Sequence, residues 1–323
     1  MKSCLLLSLL LIASGISLFA QSYNTLVRRA DSLYRAKDYK ASHTTYSRAF
    51  KIEKKLAGDL YNAACAAALA GDSKDAFALV NLAMTHGWAN VKHLTIDSDL
   101  TSLHSDAQWK PLVAKMQVKN DSIEANYDKP LQAELLKILQ EDQAIRRLYI
   151  AESNKLGFDH PRVDSLGKVM QHTDSINLVR VKPILDEKGW VGPGKVGKPA
   201  SQALFLVIQH SDLATQEKYL PMMREAVKKG DAGSDELALL EDRVALRKGN
   251  KQTYGTQLHT NSETKQLYVA AMIDPDHVDE RRDAVRLGPM AEYVRRWNIV
   301  WNVEEYKKQL PEYERLLKEN AQK

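Results

Sequence analysis

Leu131, Leu135, Ile138, Leu139, Ile145, Leu148 and Tyr149 recur at helical spacing and predict a long amphipathic helix reaching about Glu152. A second long helix is expected to open at Pro161, because proline suits a first helical turn, and to run to about Glu187. The turn Gly189-Trp190-Val191-Gly192-Pro193-Gly194 ends that stretch. Further helices are predicted over 199–210, 215–229 and 234–248. The pattern then changes: Tyr254 to His259 and Gln266 to Met272 flank Thr260-Asn261-Ser262-Glu263, the signature of a β-hairpin. Asp274-Pro275 reads as an N-cap followed by proline at the first helical position. Helices at 276–286, 289–300 and 303–319 close the chain, the last rich in lysine and glutamate like a solvated face.

The N-terminal half repeats itself. Ala30 matches Ala64, Ser42 matches Ala76, Tyr46 matches Val80 and Ala49 matches Ala83, each at a step of 34 residues. Small residues let paired helices approach closely, and Tyr39, Tyr46 and Phe50 fill the space between them. Gly71-Asp72 breaks the second pair, where Asp72 and Asp75 suit the start of the next helix. The period and small-residue positions resemble the tetratricopeptide repeat, although smaller residues replace that family's large residue early in the first helix. A third unit departs from the pattern: Leu94, Leu100 and Leu103 precede a helix at about 107–118, and Trp88 and Trp109 are expected to close the stack. Residues 22–118 are thus expected to form a short helical-repeat region, which serves either as a packing module or as a surface for a protein partner. The polar stretch 119–130, ending in Asp128-Lys129-Pro130, reads as a linker to a second domain over 131–323.

Residues 1–20 have the order of a secretory signal: Lys2, an uncharged run from Leu5 to Phe19, and Ala20 as the small residue before cleavage. This predicts an exported chain, periplasmic or extracellular, with no membrane span after signal removal. Without Lys2 the formal charge falls from +5 to +4, too small and too dispersed to select nucleic acid. Cys4 leaves with the signal, so Cys65 remains alone among alanines, a buried small hydrophobe with no internal disulfide.

Candidate chemistry is concentrated after the apolar run Ala203-Leu204-Phe205-Leu206-Val207-Ile208. Gln209-His210-Ser211-Asp212, Gln216, Glu241-Asp242-Arg243 and Gln252-Thr253-Tyr254-Gly255-Thr256-Gln257 are costly beside such a run unless they meet one another or a ligand. Asp142 and Arg146 sit four apart with Gln143 beside them, and Gln209, Asp212 and Gln216 would share one face if a single helix carried them. Arg146, Arg243 or Arg282 would hold an anion, while His210 would move a proton with Asp212 or Asp242 setting its tautomer. The alternative is a buried polar network that fixes helix register.

Gly192-Pro193-Gly194-Lys195-Val196-Gly197-Lys198 has the spacing of a P-loop, but Pro199 stands where Ser or Thr must hold magnesium, and no strand precedes it. His210 and Asp212 share a face only on a strand, and no His-Glu-x-x-His is present, so neither metal nor cofactor is expected. No Gly-x-Ser-x-Gly elbow marks a serine hydrolase.

The second domain resembles domain of unknown function family 6624 through Asp142-Gln143-x-x-Arg146, Gly189-Trp190, Val196-Gly197, Gln209-His210-x-Asp212, Gln216, Asp242-Arg243, Gln252-x-Tyr254-Gly255-Thr256-Gln257 and Arg282. The resemblance implies that these polar groups form the domain's shared site and brings no known reaction. The expectation is therefore a mainly α protein: a tetratricopeptide-like helical-hairpin stack, then a helical domain with one small β-hairpin. Its expected role is binding of a polar ligand through Gln143, Arg146, Gln209, Gln216, Arg243, Gln252, Tyr254, Gln257 and Arg282. The alternative is a metal-independent hydrolase or transferase of an envelope substrate, with His210, Asp212 and Asp242 as its catalytic groups.

Overall fold

A computed structural model describes residues 22–52, 56–261 and 263–321, so the expected signal segment lies outside the described residues. The chain is mainly helical, and its residues fall into two compact units divided between His86 and Gly87. No described helix is long and apolar enough to cross a membrane.

The first unit is two helical hairpins, α1 (Tyr23–Arg35) with α2 (Tyr39–Ile52) and α3 (Ala57–Leu69) with α4 (Ser73–Thr85). All eight positions of the 34-residue match are buried: Ala30, Ser42, Tyr46, Ala49, Ala64, Ala76, Val80 and Ala83. The alanine run of α3 lets its neighbours approach, and Tyr46 stacks on Phe50 with ring centroids 6.0 Å apart. Asp72 caps α4 by accepting from the Asp75 amide at 3.0 Å. Cys65 is buried.

The second unit begins with α5 (Val91–Ile96) and α6 (Trp109–Glu124), joined by a 3-10 segment that buries Leu100 and Leu103. Trp109 packs on His104 at 4.3 Å, and Trp88 lies beside His93 at 6.2 Å. The stretch expected as a linker is largely helical, because α6 runs on through Glu124 and α7 (Lys129–Leu156) starts at an Asp128 cap. Next come α8 (Pro161–Lys188), the one-turn α9 (Pro193–Val196), α10 (Lys198–His210), α11 (Leu213–Lys229) and α12 (Ser234–Arg247). Their shared core holds Leu135, Ile138, Val181, Leu185, Leu204, Ile208, Tyr219, Met223 and Leu240. The near-P-loop is the turn and single helical turn 192–196, with Gly192 set so close to Asp231 that a Cβ would lie 2.0 Å from its Oδ1.

Beyond α12 the chain makes a two-stranded antiparallel hairpin, β1 (Leu258–Thr260) with β2 (Leu267–Val269), in the register His259 opposite Tyr268. It is shorter than expected, because residues 252–257 wrap a buried carboxylate instead of extending the ladder. α13 (Val278–Ala284), α14 (Met290–Val294) and α15 (Val303–Ala321) complete the fold, with Met272, Val278, Met290, Val294 and Tyr306 as a second core. Asp274 does not cap the helix after it: its φ is 38°, and its carboxylate instead accepts from His277 and Arg281.

Gly255 sits at φ 66°, and a Cβ there would lie 2.8 Å from Met290 Sδ and 3.0 Å from Met272 Cε. Gly255→Ala therefore adds left-handed strain to an overpacked contact and should cost about 2 kcal/mol in urea unfolding. An unchanged midpoint would mean that the loop is not held as described.

Candidate functional site

Three helices deliver one ionic cluster. Asp142 and Arg146, four apart on α7, share a face, and Arg146 Nη1 lies 3.2 Å from Asp142 Oδ1. Arg146 Nη2 reaches both oxygens of Asp174 on α8 at 2.9 Å. His210, the last residue of α10, places Nδ1 3.1 Å from Asp142 Oδ1, and its Nε2 accepts from Arg146 Nε at 3.3 Å. With Nε2 accepting, Nδ1 carries the proton, so Asp142 fixes the tautomer. Gln143 Nε2 donates to the other Asp142 oxygen at 2.7 Å. Burial alone would raise the Asp142 pKa, but the His210 hydrogen bond, the Arg146 charge and the Gln143 bond hold it below the usual carboxylate value. Asp142 is buried, whereas the side chains of Arg146, Asp174 and His210 keep 16%, 20% and 17% exposure, so the cluster meets solvent along one edge.

Asp142, Asp174 and His210 offer ligand atoms within 4.8 Å of one another. Arg146 contacts all three, so its guanidinium supplies the positive charge that a metal ion would bring.

A second cluster is built around Asp242 on α12. Its Oδ1 accepts from the amides of Thr253 at 2.7 Å and Tyr254 at 3.0 Å. Its Oδ2 accepts from the Thr256 amide at 3.0 Å and the Thr256 hydroxyl at 2.9 Å. The Gln-x-Tyr-Gly-Thr-Gln string is thus a loop folded around one carboxylate. Burial pushes the Asp242 carboxyl up, opposed by the bonds from Thr256, Tyr254 and Thr253. Gln252 fastens the same loop, donating to the carbonyls of Gln257 and Ala270 and accepting from the Gln257 amide. Buried Arg282 donates to the carbonyls of Tyr254 and Gly288 and lies 4.7 Å over the Tyr293 ring.

Arg243 stands between the clusters. Nη1 donates to the Gln209 carbonyl at 2.8 Å and Nε to Gln257 Oε1 at 3.1 Å. Both acceptors are neutral, and no carboxylate pairs with Arg243 among the described residues. Burial first, then the charges of Arg247 and Arg146, push its pKa down to about 10. Arg247 Nη1 donates to the Ser211 carbonyl at 2.6 Å, so Arg146, Arg243 and Arg247 grip the end of α10 at three successive residues. A helix C-terminus offers only about half a negative charge, less than Arg243 and Arg247 together carry. His259 on β1 lies near enough for Arg243, after burial, to lower its pKa.

The expected residues sort into two groups. Gln143, Arg146, His210, Arg243, Tyr254 and Gln257 are partly exposed, whereas Gln209, Gln216, Gln252, Asp242 and Arg282 are interior. Gln209, Asp212 and Gln216 do not share a helix face, because α10 stops at His210 and α11 starts at Leu213. Gln216 instead folds back onto the Gln209 carbonyl at 2.9 Å. Asp212 caps α11, accepting from the Thr215 amide at 2.7 Å, and that bond leads the lowering of its pKa. Neither Asp212 nor Asp242 bonds the His210 ring; Asp142 takes that place. Asp174, Arg247 and His259 escaped the sequence reading. Asp174 and Arg247 lie in ordinary helical sequence, and only the cost of a third arginine beside a polar cluster could have flagged Arg247.

This geometry defines a helical domain with an arginine-rich polar centre at the end of one buried helix. The chain belongs to a family of unknown function, DUF6624, whose model matches residues 129–304 and so covers both clusters. No curated protein and no solved structure matches the chain.

Proposed function

We propose that the protein is an exported binding protein whose second unit holds an anionic polar ligand at Arg243, beside Arg247, Arg146 and His210. The observation that supports this reading is Arg243 itself. It is a largely enclosed guanidinium with neutral partners and two like-charged neighbours. An enclosed cation is stabilised by a counter-ion, and planar guanidinium groups suit carboxylate and phosphate groups. Gln257, which touches Arg243, and Gln143, which touches Asp142, supply neutral polar groups for the rest of the ligand. The helical-hairpin stack is read as tetratricopeptide-like and as the surface that meets a protein partner. A general-base role for His210 draws on its Asp142 bond, but Arg146 Nε occupies the nitrogen that would take the proton. Binding is therefore the reading better supported.

The experiment is thermal unfolding of the chain against inorganic phosphate, citrate and glucuronate. A ligand at 100 times its Kd stabilises the fold by about 2.7 kcal/mol. At least one anion is expected to raise Tm in the parent and to lose that effect in Arg243→Met. No shift in the parent, or an equal shift in the variant, overturns the proposal.

A further inference from the structure

A cleft of about 390 Å³ between the hairpin and α15 lies apart from the arginine centre. The backbone of β2 does not supply its chemistry, because Val269 is buried and packs with Tyr306 in the second core. The Tyr306 hydroxyl is also engaged, donating to the Ala270 carbonyl and accepting from the Met272 amide, both at 2.9 Å. So are the charges on the rim: Glu305 pairs with Lys308 and Glu312 with Arg315, and no described lysine or arginine lines the cleft.

The groups left free in the cleft are neutral. Tyr268 is only 8% exposed, and its ring stacks on Tyr313 at 4.7 Å, yet no described residue bonds its hydroxyl. A phenol so enclosed ordinarily has a partner. Trp301, half-buried against Tyr306 at 5.1 Å, has no described partner for its indole N–H either. Asn261 and Asn302 use their side-chain oxygens on backbone amides, which leaves their NH2 groups as donors. The side-chain amide of Gln266 bonds no described residue. Val300 at the same cleft is 91% exposed, so the space opens to solvent.

We infer that this cleft binds a neutral saccharide. An aromatic wall edged by uncharged donors and acceptors suits a pyranose ring. Its C–H groups rest on the negative face of an aromatic ring, and its hydroxyls bond carboxamides, phenol and indole. An anion finds no free cation here, and a cation finds no free carboxylate. A proline-rich segment also favours aromatic grooves, but proline has no N–H to offer. The Tyr268 hydroxyl and the Gln266 amide both donate and accept, which matches sugar hydroxyls. The site uses none of the arginine-centre residues and stands apart from the anion reading.

The test is saturation-transfer NMR on the whole chain with the methyl glycosides of glucose, galactose, mannose, rhamnose, xylose and N-acetylglucosamine, each at about 10 mM. At least one sugar should receive saturation at its ring protons and shift the Trp301 indole N–H resonance. Trp301→Leu should weaken binding of that sugar by about fivefold or more. Tyr268→Phe removes only a hydroxyl and keeps the ring stacked on Tyr313, so it should weaken binding by about threefold or more. Amide resonances unchanged away from the cleft would show that both variants fold. Silence from every one of these sugars, an unmoved indole resonance, or unchanged affinity in folded Tyr268→Phe would overturn the inference. A blocked tetraproline peptide that shifts the indole while all the sugars stay silent would overturn it in favour of a proline-rich partner.

Discussion

Asp242→Ala lowers the unfolding free energy by about 4 kcal/mol, the largest loss expected from any single change in the second unit. Three backbone amides and one hydroxyl converge on this carboxylate, which is almost fully buried. Removing it leaves those donors without an acceptor at about 1–3 kcal/mol each, less whatever the loop recovers by opening to water. The loop also carries the carbonyl that holds Arg282 and the side chain of Gln257 that holds Arg243, so the damage spreads to both. Urea unfolding provides the measurement. Asp242→Asn should fare little better, because its amide nitrogen would face one of the donors. A loss below 1 kcal/mol in either variant would mean that the loop is held by something other than the carboxylate.

Arg146→Met comes next, at about 3 kcal/mol, because it leaves Asp142 and Asp174 without their shared cation. Its pH dependence is distinctive. The Asp142 carboxyl titrates in the fold below its ordinary value of 3.8. Its contribution is therefore complete above that value and is lost as pH falls through the folded pKa. The stability gap between parent and variant should narrow as pH falls and Asp142 protonates, because the carboxylate that Arg146 neutralises is then lost. A gap that widens in acid would contradict the described charge arrangement.

Much of this fold was legible because its signals are local. The apolar periodicity of α7 and the proline that opens α8 mark those helices directly. The 34-residue match found buried positions because one helix-pair geometry recurs. The partners of polar groups were not local. His210 and Asp142 are 68 residues apart, and nothing in either segment names the other. Asp212 lay nearer in sequence, but a residue just before a helix is consumed by its cap. The string from Gln252 to Gln257 stood out as polar, yet it meets Asp242 mainly through its backbone, with the Thr256 hydroxyl as the one side-chain donor. The hairpin was read too long for the same reason, since amides bound to a carboxylate cannot also pair in a ladder.

Arg243 decides between a ligand site and an interior network. The side-chain Nε–H resonance of Arg243, assigned by its absence from Arg243→Met, can be followed in arginine-labelled protein titrated with phosphate at neutral pH. Binding at this guanidinium predicts a resonance that shifts and saturates. A resonance that stays fixed through the titration, with citrate and glucuronate equally without effect, would show that Arg243 serves only to hold the end of α10.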